Sequence, residues 1–372
     1  MVEADLLKPP SEAARDKNAP SLGFGAMRLP QGGQTVRQMI YLYMDAGFNV
    51  FDTAYVYNKS EDTLKKELVS RHPRTSFLLA DKLPPWLTKN REQSDKLLRE
   101  SLWRCGVDYF DFYLIHSIDD NGVKNAEAAD VFDWAAEQKD KGYCRHVGFS
   151  FHGGAELLDR LFSSYLRMEF VMLQLNYMDV LRGNAGRLYQ TALKHDKPIF
   201  VMEPVKGGSL ASLPEEAENI LKSFAPERSV ASWALRFSGS LAGVSCVFSG
   251  MSSLAQVQDN IKTFKNFAPL SKEESDALNR AIEEMSKISA IPCTSCNYCL
   301  ESCPEKIEIP VCFALYNESK RGGAHWNRQT MYDSIPKGRR AVNCNSCGAC
   351  VLRCPQHIEI PLALKEVAGA FK

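Results

Sequence analysis

Eight cysteines in the last eighty or so residues constrain this chain more than anything else in it. Cys293, Cys296, Cys299 and Cys303 are spaced C-x₂-C-x₂-C-x₃-C and end on Pro304; Cys344, Cys347, Cys350 and Cys354 repeat the run and end on Pro355. The repeat extends past the thiols, because EKIEIP at 305–310 is echoed by QHIEIP at 356–361. Three thiolates on one short loop can grip one face of an iron–sulfur cube, while the fourth, followed by proline, points away toward a second cube. The spacing therefore predicts two [4Fe–4S] clusters with crossed ligation. Cys293, Cys296, Cys299 and Cys354 would hold one, and Cys344, Cys347, Cys350 and Cys303 the other. Zinc also uses C-x₂-C, but a third close cysteine and a Cys-Pro end are not its pattern. Disulfides would suit a small secreted chain; in a reducing compartment metal is the better reading.

The other cysteines carry less. Cys105, Cys144 and Cys246 stand alone, and Cys312 lies between the quartets and fits neither, so it reads as a buried apolar thiol. The insert of about forty residues between the quartets includes the helix-like VCFALYNESK. In that it resembles the helical ferredoxin-like modules appended to many oxidoreductases.

The first 290 residues have another character, alternating short apolar runs with amphipathic stretches. Strands are expected at 23–27, 49–54, 77–82, 110–116, 145–150, 170–176, 198–204 and 244–250. Helices are expected at 35–46, 91–105, 126–141, 184–195 and 254–265, with a last one at 271–286. Runs such as YFDFYLIH and PIFVMEP are apolar almost throughout, as strands buried on both faces of a parallel sheet are. Eight such units predict an α/β (β/α)₈ TIM barrel, with a doubly wound open sheet as the alternative. The expected division is a polar segment at 1–20, a barrel at 21–288 and a small, mainly helical ferredoxin-like domain at 289–372. Lys and Arg (45) balance Asp and Glu (45), so no net field favours nucleic acid or an anionic membrane. The polar first twenty residues lack a signal peptide's apolar run, and nothing approaches the roughly 20 apolar residues of a membrane span. The expected setting is the cytoplasm.

Three strand ends carry unusual polar groups: Asp52 ends FNVFD, Lys82 ends FLLADK and His116 ends FYLIH. Tyr57 follows Asp52 by five residues. Ionisable groups at the C-terminal ends of barrel strands lie where that fold does its chemistry. Singly each has a structural explanation, as an exposed lysine, a satisfied histidine or a helix-capping aspartate. An ammonium beside a phenol favours the phenolate, and an aspartate keeps that ammonium charged.

From 22 to 265 the sequence resembles the aldo-keto reductase family, through GFGAMRLP, FDTAYVYNKSE, GFS at 148–150, QLNY at 174–177 and GMSSLAQVQDNI at 250–261. The resemblance implies a tetrad of Asp52, Tyr57, Lys82 and His116, with Tyr57 rather than the neighbouring Tyr55 as general acid. It implies a nicotinamide cofactor laid across the barrel mouth, NADP(H) by family preference or NAD(H), and a small-molecule carbonyl substrate. Ala26 and Met27 fall on the first strand's motif and Ser150 and Gln174 at the carboxamide. Glu203, Pro204 and Val205 fall along the nicotinamide and pyrophosphate path, and Ser252, Gln256, Asp259 and Asn260 at the adenosine end. Phe151 and Glu203 depart from the family pattern. No Lys or Arg lies between 250 and 260 to read a 2′-phosphate, leaving Lys206 or Arg228 to supply that charge. The clusters then relay electrons, with a redox partner protein, or staple the C-terminal domain; the remaining alternative is an electron-transfer protein whose barrel is a docking scaffold.

Overall fold

The structure, a computed structural model, describes residues 21–371 except 31, 58, 266, 288–290, 292, 294–297, 321–327 and 355–357. The polar segment at 1–20 and the expected boundary at 288 lie outside the described residues. Eight strands close into a barrel in chain order: β1 (Ser21–Gly25), β2 (Val50–Asp52), β3 (Leu78–Leu83), β4 (Phe110–Ile118), β5 (Cys144–Phe151), β6 (Phe170–Gln174), β7 (Ile199–Met202) and β8 (Val244–Ser249). All pairs are parallel, and β1 meets β8 with Ser21 opposite Cys246 and Phe24 opposite Ser249. A closed ring excludes the open doubly wound sheet.

Val50, Ala80, Leu114, Phe170, Met172, Phe200, Cys246 and Phe248 form one buried cluster drawn from six strands. Phe200 is its hub, with ring centroids 4.7 Å from Phe170 and 5.6 Å from Phe248. Room for Phe248 exists only because residue 23 is glycine: a Cβ there would lie 2.2 Å from the Phe248 ring. This cluster also determines where the polar strand ends go. Asp52, Lys82 and His116 stand two residues beyond Val50, Ala80 and Leu114, so strand alternation puts them on the same face, one layer nearer the C-terminal rim.

The helix Arg91–Cys105 shows why these segments stop where they do. Asn90 caps it by accepting from the Gln93 N–H at 3.0 Å, and Gly106, at φ 70°, ends it in the left-handed region. Its buried stripe of Ser94, Leu98, Ser101, Leu102 and Cys105 has helical spacing. The single helix expected at 126–141 is instead two, Gly122–Ala128 and Val131–Asp140, broken where Asp130 takes φ 56°. A short polar side chain tolerates that conformation.

The chain forms two compact units: residues up to Val205 with Ser232–Lys272, and Lys206–Ala231 with Glu273–Lys372. In the second unit, Ile307, Ile309, Phe313, Leu364 and Val367 build a small core that also takes in Cys299 and Cys350. The repeated Ile-Glu-Ile-Pro has a structural sense there. It opens helices Ile309–Lys320 and Ile360–Ala370, which pack on each other, and proline suits a helix's first turn. Arg228 pairs with Glu274, and Lys206 lies 3.8 Å from Glu318, tying 206–231 to the rest of its unit. Among the described residues no helix is long and apolar enough to cross a membrane.

Candidate active site and cysteine centre

Lys82 organises the rim of the barrel. Its Nζ donates to Asp52 Oδ1 at 2.5 Å, to the Thr53 carbonyl at 2.8 Å and to the Tyr57 hydroxyl at 3.4 Å, so all three ammonium protons are engaged. The loop after β2 delivers the tyrosine. Tyr55 N–H bonds to the Lys82 carbonyl at 3.3 Å, and Tyr57 N–H closes a turn on Ala54 at 2.9 Å. That turn brings the Tyr57 ring centroid within 4.7 Å of Nζ. The His116 ring packs edge-on against Tyr57 at 5.8 Å and lies 5.5 Å from Trp86. Just past His116 the β4–β5 register shifts and Ser117 takes φ 55°, the signature of a bulge that re-aims a strand end.

The charges follow from burial. Lys82 is 1% exposed, which alone would push its ammonium's pKa down; Asp52, and Tyr57 after it, outweigh that and raise it above the ordinary lysine value. Lys82 therefore stays a cation, with Asp52 as its counter-ion. Burial raises the Tyr57 phenol above 10, and the Lys82 charge only partly offsets it. Lowering by lysine was the sequence-based expectation; in this structure desolvation is the larger effect. Burial, then the charge on Lys82, pulls His116 down to about 3, so it is a neutral imidazole at physiological pH. Its buried Nδ1 has no hydrogen-bond partner among the described residues.

Tyr55 faces elsewhere. Its hydroxyl donates to Glu100 Oε2 at 3.0 Å, and the Arg104 guanidinium sits 4.5 Å from its ring. Behind Lys82, on the opposite face of β3, lies a group that sequence patterns gave no reason to single out. Asp81, Glu61 and Cys105 are all buried, with ligand atoms within 4.8 Å of one another. Asp81 Oδ1 accepts the Lys82 N–H at 2.6 Å, and Arg104 pairs with Glu61 Oε2 at 3.1 Å. Burial first, then the Glu61 carboxylate, pushes the Asp81 carboxyl well above the usual range. A protonated Asp81 can donate to Glu61 Oε1, which otherwise has no partner. An aspartate one residue out of phase with a site lysine was the available signal.

The residues expected along a cofactor are spread around the rim, and several already have protein partners. Ser150 Oγ accepts the Ser117 N–H at 2.7 Å, and Gln174 ends β6 half-buried. Glu203, at φ 53°, pairs with Arg28 at 3.3 Å, and its carbonyl accepts from Asn176 at 3.3 Å. Arg28 is thus the counter-ion for the departure at 203. Pro204 is buried and Val205 half-buried, while Phe151 is buried. Gln256 Oε1 accepts the Ser252 N–H at 2.7 Å while Ser253 Oγ accepts the Gln256 N–H at 3.3 Å, so Ser253, not Ser252, caps the following helix. Asn260 is buried and donates to Ser249 Oγ at 2.9 Å; the Asp259 carbonyl accepts from Thr263 at 2.9 Å. A cavity of about 640 Å³ lined by Lys59, Ser60 and Lys66 takes in Ala26 and Met27 but none of the others. Lys206 and Arg228 are held by Glu318 and Glu274, so neither is a spare cation.

In the second unit, Cys296 lies outside the described residues. Cys299 and Cys350 are buried, Cys293, Cys303, Cys344 and Cys354 half-buried, and Cys347 exposed. Burial raises the Cys350 thiol, and Cys303, Cys344 and Cys347 lie close enough to raise it further. Cys303, Cys344 and Cys347 are thus near enough to Cys350 to feel its charge, and thiols are soft donors that suit iron–sulfur or zinc rather than a hard cation. Cys312, fully buried, is pushed up to about 11 and is an inert core thiol, as its position in the sequence suggested.

Comparison with known proteins agrees with both halves. The profile of the Aldo/keto reductase family matches residues 21–283, and that of the 4Fe-4S dicluster domain matches 292–359. Aldo-keto reductase AKR2E4 of Bombyx mori is 27% identical over 166 residues, 41% of this chain and 52% of that protein, so the match spans about half the relative's length. An aldo-keto reductase of Mycolicibacterium vanbaalenii is 26% identical over 251 residues, 67% of this chain and 84% of the relative. The crystal structure of a Klebsiella pneumoniae aldo-keto reductase in complex with NADPH superposes with a TM-score of 0.57 at 21% identity, over 70% of this chain and 90% of that one, a likeness of fold. With the family profile running through all eight strands, the chain belongs to the aldo/keto reductase family and carries a 4Fe–4S dicluster domain after its barrel.

Proposed function

We propose that the barrel interconverts a small carbonyl compound and its alcohol with a nicotinamide cofactor, Tyr57 giving or taking the proton. The observation that carries this is the Lys82 ammonium, which bonds Asp52 and Tyr57 together at the rim. NADP(H) is the preferred cofactor and NAD(H) the alternative, since a structural relative binds NADPH. When bound, the cofactor supplies or accepts the hydride. The chain's own residues handle the proton. Burial keeps the phenol protonated, Lys82 stabilises the charge left as the proton departs, and Asp52 keeps Lys82 charged and aimed. A neutral His116 donates a hydrogen bond to the carbonyl oxygen, where negative charge develops. Its Nδ1, without a partner among the described residues, leaves this ring hydrogen-bonding capacity to spare. Ser150, Gln174, Glu203, Pro204, Val205, Ser252, Gln256, Asp259, Asn260, Ala26 and Met27 are proposed to line the cofactor.

The C-terminal domain, 289–372 in this proposal, would hold two [4Fe–4S] clusters in crossed fashion. Support for crossing is the presence of Cys303, from the first run, among the neighbours of Cys350 in the second. We read the clusters as an electron relay working with a separate redox protein. A stapling role is the second reading, favoured by Cys299 and Cys350 belonging to the unit's apolar core. The test is anaerobic purification with iron and sulfide analysis, then stopped-flow mixing with NADPH and NADH. About eight iron and eight sulfide per chain are expected from two cubes. Zinc without charge-transfer absorption would overturn the cluster assignment, and failure to bind either nucleotide would overturn the reductase.

A further inference from the structure

The stretch from 334 to 355 has four basic residues, Lys337, Arg339, Arg340 and Arg353, and no acidic one, in a chain whose charges balance as a whole. Two of these cations are committed, Arg339 to Glu308 at 2.8 Å and Arg340 to Asp333 at 3.1 Å. Lys337 and Arg353 are exposed and form no ion pair among the described residues. A third acidic side chain, Glu305, accepts from Asn345 at 3.0 Å, and the exposed Lys306 follows it.

Apolar exposure coincides with this charge. Val342 is 70% exposed in the turn Ala341–Asn343 that enters the second cysteine run, and Leu352 is 91% exposed in the turn Val351–Arg353 that leaves it. Each turn is tied to a thiol residue, Cys344 N–H to the Ala341 carbonyl at 3.1 Å and Cys354 N–H to the Val351 carbonyl at 3.1 Å. Cys347, between the two turns, is exposed. Large apolar side chains this open, ringed by polar groups, mark interaction surfaces.

We infer that the exposed segment 337–353 docks an acidic one-electron carrier protein of ferredoxin or flavodoxin type, with Val342 and Leu352 as its apolar contacts and Lys337 and Arg353 as its steering charges. The inference rests on the relay proposed above. Cys344, Cys347 and Cys350 would hold the accepting cluster, and the exchange would be of one electron, the carrier oxidised by one and the cluster reduced by one, with no bond or proton moved. A second copy of this chain is the poorer occupant, because the segment would meet its own like charges.

The test uses the full anaerobic chain with clusters oxidised, mixed in a stopped-flow with a pre-reduced acidic ferredoxin and, separately, with methyl viologen radical. The variant combines Lys337→Glu, Arg353→Glu and Leu352→Ser, all exposed, and must retain its iron and visible spectrum. We expect reduction by ferredoxin to slow roughly tenfold or more and to lose its acceleration at low salt, with viologen reduction unchanged. Equal ferredoxin rates and equal salt dependence in variant and parent would overturn the docking segment while leaving the relay standing. Clusters that viologen itself cannot reduce would overturn the relay, and the docking segment with it.

Discussion

A lysine that is 1% exposed yet charged is expensive unless its neighbours are arranged for it, and around Lys82 they are. Asp52 supplies the opposite charge, and the Thr53 carbonyl and Tyr57 hydroxyl take the remaining ammonium protons. Tyr57→Phe keeps the ring and removes the proton donor. We expect kcat to fall about 10²–10⁴-fold with nicotinamide affinity nearly unchanged, while Tyr55→Phe stays close to the parent. Steady-state kinetics with titration of NADPH fluorescence would check this, and the opposite ranking would move the acid to Tyr55. With His116 at about 3 and Tyr57 above 10, carbonyl reduction should be flat from pH 6 to 9. An inflection near 6.5 that vanishes in His116→Gln would show a solvated imidazole instead. Asp81 has its own signature. Its folded pKa is raised, so its contribution to stability is complete below the unfolded carboxyl value of about 3.9 and is lost as pH rises toward the folded value. Asp81→Asn cannot ionise. Urea unfolding should show the variant gaining on the parent with pH, by at most about 1.4 kcal/mol per unit. Parallel stability–pH curves would mean the pair does not share a proton.

At the scale of elements, strand alternation and short turns do most of the positioning. The barrel was legible because its strands are short apolar runs with polar ends, and Asp52, Lys82 and His116 fall in phase with the filling residues Val50, Ala80 and Leu114. What escaped sequence reading is what depends on contacts between elements. The break at Asp130, the bulge at Ser117 and the Arg28–Glu203 pair leave no periodicity to read. The same holds for Asp81, whose carboxyl is pushed up by burial and by Glu61 from a separate helix. Asn260 shows the reverse limit: its position marked it for a cofactor, but its amide is also spent holding the end of β8. In the second unit the repeat was more informative than the ligand spacing alone, since Ile-Glu-Ile-Pro marks both the end of a cysteine run and the start of a helix. Cys303→Ala tests the link between the runs. Under crossed ligation it should damage the cluster held by Cys344, Cys347 and Cys350 and spare the other, as read by Mössbauer or paramagnetic resonance spectra. Damage confined to the cluster of Cys293, Cys296 and Cys299 would show each run binding by itself.

At the scale of the whole chain, the family matches and the compact units divide the sequence differently, and the difference has a consequence for any attempt to separate the halves. The profiles meet between 283 and 292, as two consecutive domains would. By compactness, however, 206–231 and the helix Lys272–Lys287 from Glu273 onward group with the cysteine-bearing residues. The chain therefore passes between units after Val205, after Ala231 and after Lys272. The first of these points follows directly on Glu203, Pro204 and Val205, proposed here for the cofactor path. A truncation ending at Lys287 would remove the residues beyond 287 that form one compact unit with 206–231 and the helix Lys272–Lys287, and would strip Lys206 of Glu318. We therefore expect the truncated chain to bind NADPH more weakly than the full chain and to unfold at lower urea, even though the proposed tetrad of Asp52, Tyr57, Lys82 and His116 is retained. The reason is that positive-φ residues at 203 and 206–208 hold this loop in a conformation that surrounding contacts must maintain. Point removal of the clusters separates the two contributions. Cys347→Ala, at an exposed ligand, should cost iron while leaving the Lys206–Glu318 pair and the helix packing in place, so nicotinamide binding should survive it. Equal loss of NADPH affinity in the truncation and in Cys347→Ala would mean that the bound clusters, and not the polypeptide packing around them, support the β7 loop.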